Sequence, residues 1–179
     1  RTPIICAGAS QGPLVANGVR RLGINPKRIF GSAPWAFLSS LKALVALEAR
    51  VSPSEVVLNL LGVPPAHSVI TWSSATISGC PLEDTLSPPQ LTRLRNQGEL
   101  LWPPGPYALA SAATRIVEAL AGGGTQRTFT CFVAKSQEEK LGVQSVGVTL
   151  GSGGIEDILS VTLSSLEQVR LDNALQNIQ

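Results

Sequence analysis

The sequence predicts an α/β fold in which one strand and one helix, typical of the end of an open α/β sheet, precede an α+β domain. A short apolar run at 3–8 is followed by a helical segment at 13–22, and a long helical segment extends from 34 to 49. Three segments beyond residue 126, rich in apolar and β-branched residues, are separated by loops too short for crossover helices, so they predict antiparallel strands.

In the first half of the chain, glycine and proline residues mark where helices begin and end. Gly23 and Pro26 end the helix at 13–22, and residues 28–31 form a second strand. Pro34 suits the beginning of the long helix because the N–H that proline lacks is unpaired in a first helical turn anyway. These signals predict the order strand, helix, strand, helix.

The rest of the chain is predicted from residue type and spacing. Residues 55–61 and 67–77 are rich in Val, Ile, Thr and Trp, which predicts two strands. The glycines at 122–124 and 151–154 are interpreted as turns, since no Lys-Ser/Thr pair follows them as in a phosphate loop. The remaining predictions are helices at 88–101 and 107–121, antiparallel strands at 127–135, 143–150 and 155–162, and a final helix at 164–178.

Composition restricts the classes of partner. With 179 residues, 44% hydrophobic and 15% charged, the chain predicts one globular domain with part of a second. The net charge of +2 comes from 14 basic and 12 acidic residues of interspersed sign, which argues against nucleic acid. No apolar run reaches the roughly 20 residues of a membrane span, and the first residues do not resemble a signal peptide. We therefore expect no membrane and a cytoplasmic location, with the mitochondrial matrix or another organelle as the alternative.

The metal-binding and redox residues are few. Cys6, Cys80 and Cys131 are odd in number, far apart and set in apolar sequence, so we expect buried, reduced thiols. His67 is the single histidine, and no group of ligands has the spacing of a zinc site. The sequence predicts no metal.

Six segments in order carry a family resemblance that covers nearly the whole chain. They are Asn-Pro-Lys-Arg-Ile-Phe-Gly-Ser at 25–32, Val-Ser-Pro-Ser-Glu-Val at 51–56, Val-Ile-Thr-Trp-Ser-Ser at 69–74, Ile-Ser-Gly-Cys-Pro-Leu at 77–82, Arg-Ile-Val-Glu-Ala at 115–119, and Gly-Val-Thr-Leu-Gly with the following turn to Glu156 at 147–156. Together they resemble the lactate/malate dehydrogenase family. The resemblance implies a remnant of the Rossmann-type dinucleotide-binding domain at 1–31 and the C-terminal substrate and dimerisation domain at 32–179.

The residues that carry the family's chemistry are missing. The family uses a His to move the substrate hydroxyl proton, an Asp to orient it and an Arg to hold the substrate carboxylate. In ungapped register the Asp and Arg positions fall on Phe37 and Ser40, and the His position falls on Pro64. An Asn-Pro pair at the nicotinamide ribose falls near Ala9 and Ser10. The resemblance therefore implies no catalytic residues and no cofactor for this chain, and NAD only where a nucleotide-binding domain lies upstream.

Five residues are candidates for the former substrate pocket: Trp35, Phe37, Ser40, Pro64 and His67. His67 is either a relocated acid/base or a partly exposed histidine at the start of a strand, and the sequence shows no Asp in register to orient it. Trp35, Phe37 and Pro64 either fill the old cavity or belong to the ordinary core.

Three functional readings remain open. The first is a non-catalytic family member, a pseudoenzyme or assembly module, that forms a homodimer through apolar faces at 38–45 and 169–178. The second is part of an NAD-dependent malate or lactate (2-hydroxy acid) oxidoreductase whose nucleotide-binding half is absent from this chain, so that the missing N-terminal half is a partner. The third is a sensor that binds an apolar small molecule where the hydroxy acid would lie.

Overall fold

The computed structural model describes residues 2–8, 10–122, 127–137 and 140–176. The described elements alternate between strands and helices in the first half and end in an antiparallel region and a helix. The strands are β1 Ile4–Cys6, β2 Ile29–Gly31, β3 Val56–Val57, β4 Leu60–Val63, β5 His67–Ile70, β6 Thr76–Ile77, β7 Cys80–Pro81, β8 Thr128–Gln137, β9 Lys140–Gly151 and β10 Gly154–Ile158. The helices are α1 Gln11–Leu22, α2 Ala33–Ala49, α3 Leu82–Thr85, α4 Pro88–Glu99, α5 Pro106–Leu120 and α6 Ser165–Gln176.

Seven strands form one mixed sheet in the order β1-β2-β8-β9-β4-β5, with β10 also paired to β9. β1 and β2 are parallel, whereas the other pairs of this sheet are antiparallel. One row of partners crosses the sheet from Cys6 through Gly31, Phe132 and Ser145 to Gly62. The expected strand-and-helix start of an open sheet is thus joined directly to the antiparallel part. β3, β6 and β7 form a separate small sheet.

Three apolar clusters hold these layers together. The largest packs α2 and α4 against the small sheet around the fully buried Leu41 and Val45. The second lies between the main sheet and α5, where Phe30 and Ile116 are completely buried. The third is small and joins α1 to the parallel strands through Val15. Leu41 and Val45, in the expected dimer face at 38–45, are internal and pack in this chain's own core.

The two strands expected at 55–61 and 67–77 are each broken. A 3₁₀ turn at Pro53–Glu55 precedes β3, and a second at Trp72–Ser74 separates β5 from β6. The breaks lie where the chain passes between the small and the main sheet. Asn59 and Thr71 face each other there, with the Thr71 N–H donating to the Asn59 carbonyl at 3.1 Å and the Asn59 N–H donating to Thr71 Oγ1 at 3.3 Å. The composition indicated strands but not this change of sheet.

Most other predicted elements are present with shifted ends. The helices expected at 13–22, 34–49, 88–101 and 107–121 are α1, α2, α4 and α5, and the antiparallel meander is β8, β9 and β10. β10 ends at Ile158, well before residue 162, and the Leu159 N–H then donates to the Gly147 carbonyl at 2.8 Å. The four-residue helix α3 was not predicted. Residues 123, 124, 177 and 178 of the predicted glycine turn and last helix lie outside the described residues.

The cysteine prediction is wrong at one of three positions. Cys6 and Cys131 are buried, but Cys80 is exposed, and all three are free thiols. Cys80 follows a tight turn in which Ser78 and Gly79 have φ values of 51° and 83°, so the hairpin directs it to solvent despite its apolar neighbours. In the described part of the chain, no helix combines the length and the apolar character needed to cross a membrane.

Candidate functional site

Helix α2 carries two of the three positions at which the resemblance places catalytic residues, and Gln11 anchors its first turn. Gln11 is only 1% exposed. Its Oε1 accepts a hydrogen bond from the Ala33 N–H at 2.7 Å, and its Nε2 donates to the Gly8 carbonyl at 2.9 Å. A buried amide must satisfy both ends in this way to offset its desolvation. The loop after β1 and the start of α2 are therefore held by one side chain.

Gly31 makes room for this anchor. A Cβ at Gly31 would lie 2.6 Å from Gln11 Oε1 and 3.1 Å from Phe132 Cβ, closer than a real side chain tolerates. The glycine of the 25–32 motif is thus required by the close approach of Gln11 and Phe132. The Asn-Pro positions expected nearby fall near Ala9, which lies outside the described residues, and Ser10, which precedes α1 without a side-chain capping bond.

Phe37, at the expected Asp position, lies in an aromatic cluster. Its side chain is 4% exposed, and its ring meets Trp102 edge to face, with centroids 5.8 Å apart. Trp102 in turn meets Phe132 at 6.1 Å in the same manner. We call Phe37, Trp102 and Phe132 the aromatic cluster. None of its rings can exchange a proton as an acid or base, and none carries the positive charge that would pair with a substrate carboxylate.

Ser40, at the expected Arg position, points its hydroxyl back into its own helix. Ser40 Oγ donates to the Ala36 carbonyl at 3.0 Å. A hydroxyl can still accept a hydrogen bond in this state, but it cannot form the two-pronged contact that a guanidinium makes with a carboxylate.

Pro64, at the expected His position, is buried in the turn between β4 and β5. This turn is fixed by Gly62, whose φ is +81° and whose Cβ would lie 2.2 Å from the His67 carbonyl oxygen. His67 pairs with Val63 across the hairpin and is exposed. Among the described residues no carboxylate makes a hydrogen bond or ion pair with His67. These observations fit a histidine exposed at the start of a strand. They do not fit an acid/base that a carboxylate orients.

Two candidates, Trp35 and Ser40, line a cleft of about 600 Å³ between α2 and α5. We call this the α2–α5 cleft. Its polar lining comes from Ser39, Ser40, Lys42, Ser54, Ser111 and Arg115. Lys42 and Arg115 were not among the predicted site residues. Arg115 lies in the 115–119 motif, and its position at helical spacing from Ser111 was the signal available in the sequence.

In the described residues, the carboxyl whose pKa is shifted furthest is the buried Glu167, at the start of α6. Burial alone would raise the pKa of Glu167, but hydrogen bonds from the backbone and hydroxyl groups of Ser73 and Ser164 outweigh it and bring the pKa to about 2. The Ser164 N–H and Oγ lie 2.9 and 2.8 Å from Glu167 Oε2, and Ser73 also donates its hydroxyl to that oxygen. Glu167 thus joins α6 to the turn at Trp72–Ser74.

The described residues contain no group of three or more His, Cys, Asp or Glu side chains that could hold a metal ion. The described parts of β1, β2 and α1 carry none of the glycine-rich turn that cradles a pyrophosphate. These positions do not fit NAD by themselves.

The architecture is a mixed α/β fold of the lactate/malate dehydrogenase type. The malate dehydrogenase from Aeropyrum pernix superimposes with a TM-score of 0.85 at 16% identity, covering 98% of this chain and 62% of that one. The lactate dehydrogenase from Cryptosporidium parvum, solved with lactic acid and nicotinamide adenine dinucleotide, gives 0.85 at 22% identity, covering 97% and 60%. The predicted fold class is confirmed.

Sequence comparison leads to the same group of proteins. The chain is 29% identical over 170 residues to the malate dehydrogenase of Nostoc punctiforme and 30% identical over 168 residues to that of Trichormus variabilis. Each match covers 88% of this chain and 51% or 52% of the relative, so the chain spans about half the length of these curated relatives. No family model matches. The sequence relatives and the structural neighbours are thus both malate or lactate dehydrogenases.

Proposed function

We propose that this chain is a non-catalytic, malate/lactate dehydrogenase-like C-terminal domain that serves as an assembly or regulatory module. The observation that carries the proposal is the state of the three catalytic positions. Phe37 is buried in the aromatic cluster, Ser40 bonds to its own helix, and Pro64 is buried in a turn. All three positions lie in a chain with a closely packed core, in which Gly31 and Gly62 occupy the close contacts described above.

The chemistry of the family cannot be carried by these side chains. Oxidation of a 2-hydroxy acid requires a group that takes the hydroxyl proton while hydride leaves the carbon, and such a group contributes about 10²–10⁴-fold to the rate. Phenylalanine and proline side chains cannot hold a proton, and a neutral serine cannot replace a guanidinium on the substrate carboxylate. The single histidine, His67, is exposed and has no orienting carboxylate in the described residues.

The test is hydride transfer by the full-length protein that contains this chain, followed as NADH absorbance at 340 nm with oxaloacetate and with pyruvate. The malate dehydrogenase of Nostoc punctiforme, a relative at 29% identity, is the positive control. We expect no turnover above that of buffer. Turnover that copurifies with the protein and disappears in His67→Ala would overturn the proposal.

The alternative is part of an NAD-dependent 2-hydroxy acid oxidoreductase whose nucleotide-binding half is supplied outside this chain. The observation in its favour is the edge of the main sheet: in the described residues β1 pairs with β2 alone, so another strand can add to its free edge. The same assay distinguishes the two proposals, because this alternative requires turnover in the full-length protein.

A homodimer belongs to the first proposal, through α6 instead of α2. Leu166 and Val169 on α6 are 62% and 55% exposed, so this helix presents apolar side chains that the described chain does not cover. Ile178, at the end of the expected dimer face, lies outside the described residues. Sedimentation equilibrium of the wild type and of Val169→Glu tests the dimer: a monomeric variant and a dimeric wild type are expected, and a monomeric wild type would refute it.

A further inference from the structure

We propose that α6 is a strap that can leave the β4–β5 hairpin while the rest of the fold stays closed, and that two hydrogen bonds between Ser73 and Glu167 hold it in place. We call these two bonds the Ser73–Glu167 clasp. The inference goes beyond the proposed function and does not depend on it, because a strap requires neither a dimer nor any particular side chain at the catalytic positions.

Apolar packing alone holds α6 weakly. Between residues 165 and 176 the buried side chains are Glu167 and Ala174, and most of the others are exposed. Leu171 and Leu175 are half-buried, and Leu171 packs against the cluster between the main sheet and α5. Since hydrophobic stabilisation follows the apolar area removed from water, one buried alanine and two half-buried leucines contribute little.

The surroundings of α6 allow it to leave as a unit. Its connection to the preceding strand, residues 160–164, forms neither helix nor strand, and β10 ends at Ile158. On the hairpin, α6 lies next to Gly62, where an added Cβ would lie 3.7 Å from the Ala174 Cβ. Release of α6 therefore breaks no strand pairing, and it uncovers the side of the hairpin next to Gly62.

The clasp is the polar contact that must break when α6 leaves. Glu167 Oε1 accepts a hydrogen bond from the Ser73 N–H at 3.1 Å, and Oε2 accepts one from the Ser73 hydroxyl. Ser73 lies 94 residues before Glu167, in the turn Trp72–Ser74. The bonds from Ser164 to the same carboxylate lie within the start of α6 and can persist in the open state.

The charge of Glu167 makes the strap either closed or open. Glu167 is 6% exposed, and in the described residues no Lys, Arg or His forms an ion pair with it. A carboxylate withdrawn from water is costly unless its hydrogen bonds are made. When α6 is docked, Ser73 and Ser164 supply them, and when α6 is free, water does. A partly lifted helix would have neither, so intermediate positions are unfavourable.

The test is native-state hydrogen exchange at pH 7 on the protein that contains this chain, in increasing urea well below its unfolding transition. We expect the α6 amides from 169 to 176 to exchange faster than those of β8 and β9, with a weaker dependence on urea, because a local opening exposes less surface than global unfolding. The experiment is run at two protein concentrations tenfold apart. Rates that do not change with concentration separate strap opening from dissociation of the dimer proposed above.

Variants then test the clasp. Ser73→Ala should raise the exchange rate of the α6 amides about tenfold, as expected for loss of one hydrogen bond to a charged group. Ser73→Thr keeps the hydroxyl and should stay within a few-fold of wild type. Ser165→Ala is the matched control, since it removes an exposed serine hydroxyl of α6 that makes no hydrogen bond in the described residues.

Four results would each overturn the proposal. The first is one common rate and urea dependence for α6, β8 and β9 in the wild type, which needs no variant to fold. The second is an exchange rate of α6 that depends on protein concentration. The third and fourth are α6 exchange in Ser73→Ala at the wild-type rate, and an equal acceleration in Ser165→Ala.

Discussion

Phe37 and Trp102 meet edge to face, with their ring centroids 5.8 Å apart and their planes at 61°. The contact joins α2 to the segment between α4 and α5, and Trp102 extends it to Phe132 on β8. A charged or polar side chain at position 37 would be enclosed by apolar rings and would lose its hydration. The position that the resemblance assigns to an aspartate has therefore become part of the stabilising core.

The first prediction concerns this contact. Phe37→Ala should lower the free energy of unfolding by about 3–5 kcal/mol, because it removes a buried ring and leaves a cavity. Chemical denaturation followed by the fluorescence of the three tryptophans, Trp102 among them, measures the loss. Tyr107→Ala is the control, since Tyr107 is 91% exposed and should change stability by no more than about 0.5 kcal/mol. Equal effects of the two substitutions would contradict the role of the aromatic cluster.

The second prediction concerns the pH dependence of stability. The pKa of Glu167 is about 2 in the folded chain, below the ordinary value of about 4.3 in an unfolded chain. A depressed folded-state pKa stabilises the fold above the unfolded value, and this contribution is lost as the pH falls from about 5 towards 2. Glu167→Gln should therefore be less stable than wild type at pH 7, by about 1.5–3 kcal/mol for hydrogen bonds to a charged group, and the difference should shrink at pH 3.

Urea denaturation at pH 7, 5 and 3 measures this difference. The control is Glu118→Gln, an exposed carboxylate on α5 with no hydrogen bond or ion pair in the described residues. Its stability should follow wild type at every pH. A Glu167→Gln deficit that stays constant down to pH 3 would show that the Ser73 and Ser164 contacts do not depend on the charge.

The third prediction concerns the anchor of α2. Gln11→Ala leaves the Ala33 N–H and the Gly8 carbonyl without their partner in a buried region, and unfolding should become easier by about 2–3 kcal/mol. Gln97→Ala provides the comparison, because Gln97 is exposed on α4. Thermal melting followed by circular dichroism records both. If Gln11→Ala has the same melting temperature as the wild type, water replaces the amide and the Gln11 hydrogen bonds do not stabilise the fold.

The fourth prediction concerns thiol reactivity. Burial raises the pKa of the Cys6 and Cys131 thiols, whereas Cys80 is exposed at a hairpin. Because the thiolate is the reactive form, a maleimide should label one thiol rapidly in the native chain and three in denaturant. Mass spectrometry should locate the fast site at Cys80, and Cys80→Ser should abolish it. Rapid native labelling of two or more thiols would contradict the burial of Cys6 and Cys131.

Elements with a single strong local signal could be predicted from the sequence. α2 begins next to a proline and α1 ends at Gly23 in a left-handed conformation, so local chemistry fixed both. The breaks near residues 58 and 71 could not be predicted, since they arise where the chain changes sheet and the same residue types suit either sheet. The prediction that Cys80 is buried was wrong for a similar reason. Apolar neighbours in the sequence indicate burial only if the preceding turn does not direct the side chain to solvent.

Of the pocket residues predicted from the sequence, Trp35 and Ser40 line the α2–α5 cleft. Phe37, Ser40 and Pro64 were assigned to the catalytic positions of the resemblance by counting residues from Gly31, which requires the sequence alone. Lys42 and Arg115 lie on two different helices and are more than seventy residues apart in sequence, and single-sequence patterns do not show that two helix faces border one cleft. Gln11 was missed because a glutamine at the start of a helix gives no sign in the sequence that it is buried. Its role follows from its partners, Gly8 in the preceding loop and Ala33 at the start of α2.

The row of partners from Cys6 to Gly62 has a mechanical consequence. β2 pairs with β1 on one side and with β8, about one hundred residues later, on the other. The two parallel strands can therefore leave the sheet only if the pairing between Gly31 and Phe132 opens. The amides of Gly31 and Phe132 should exchange with deuterium at a common rate, which would make β1 and β2 part of the same cooperative unit as the antiparallel strands.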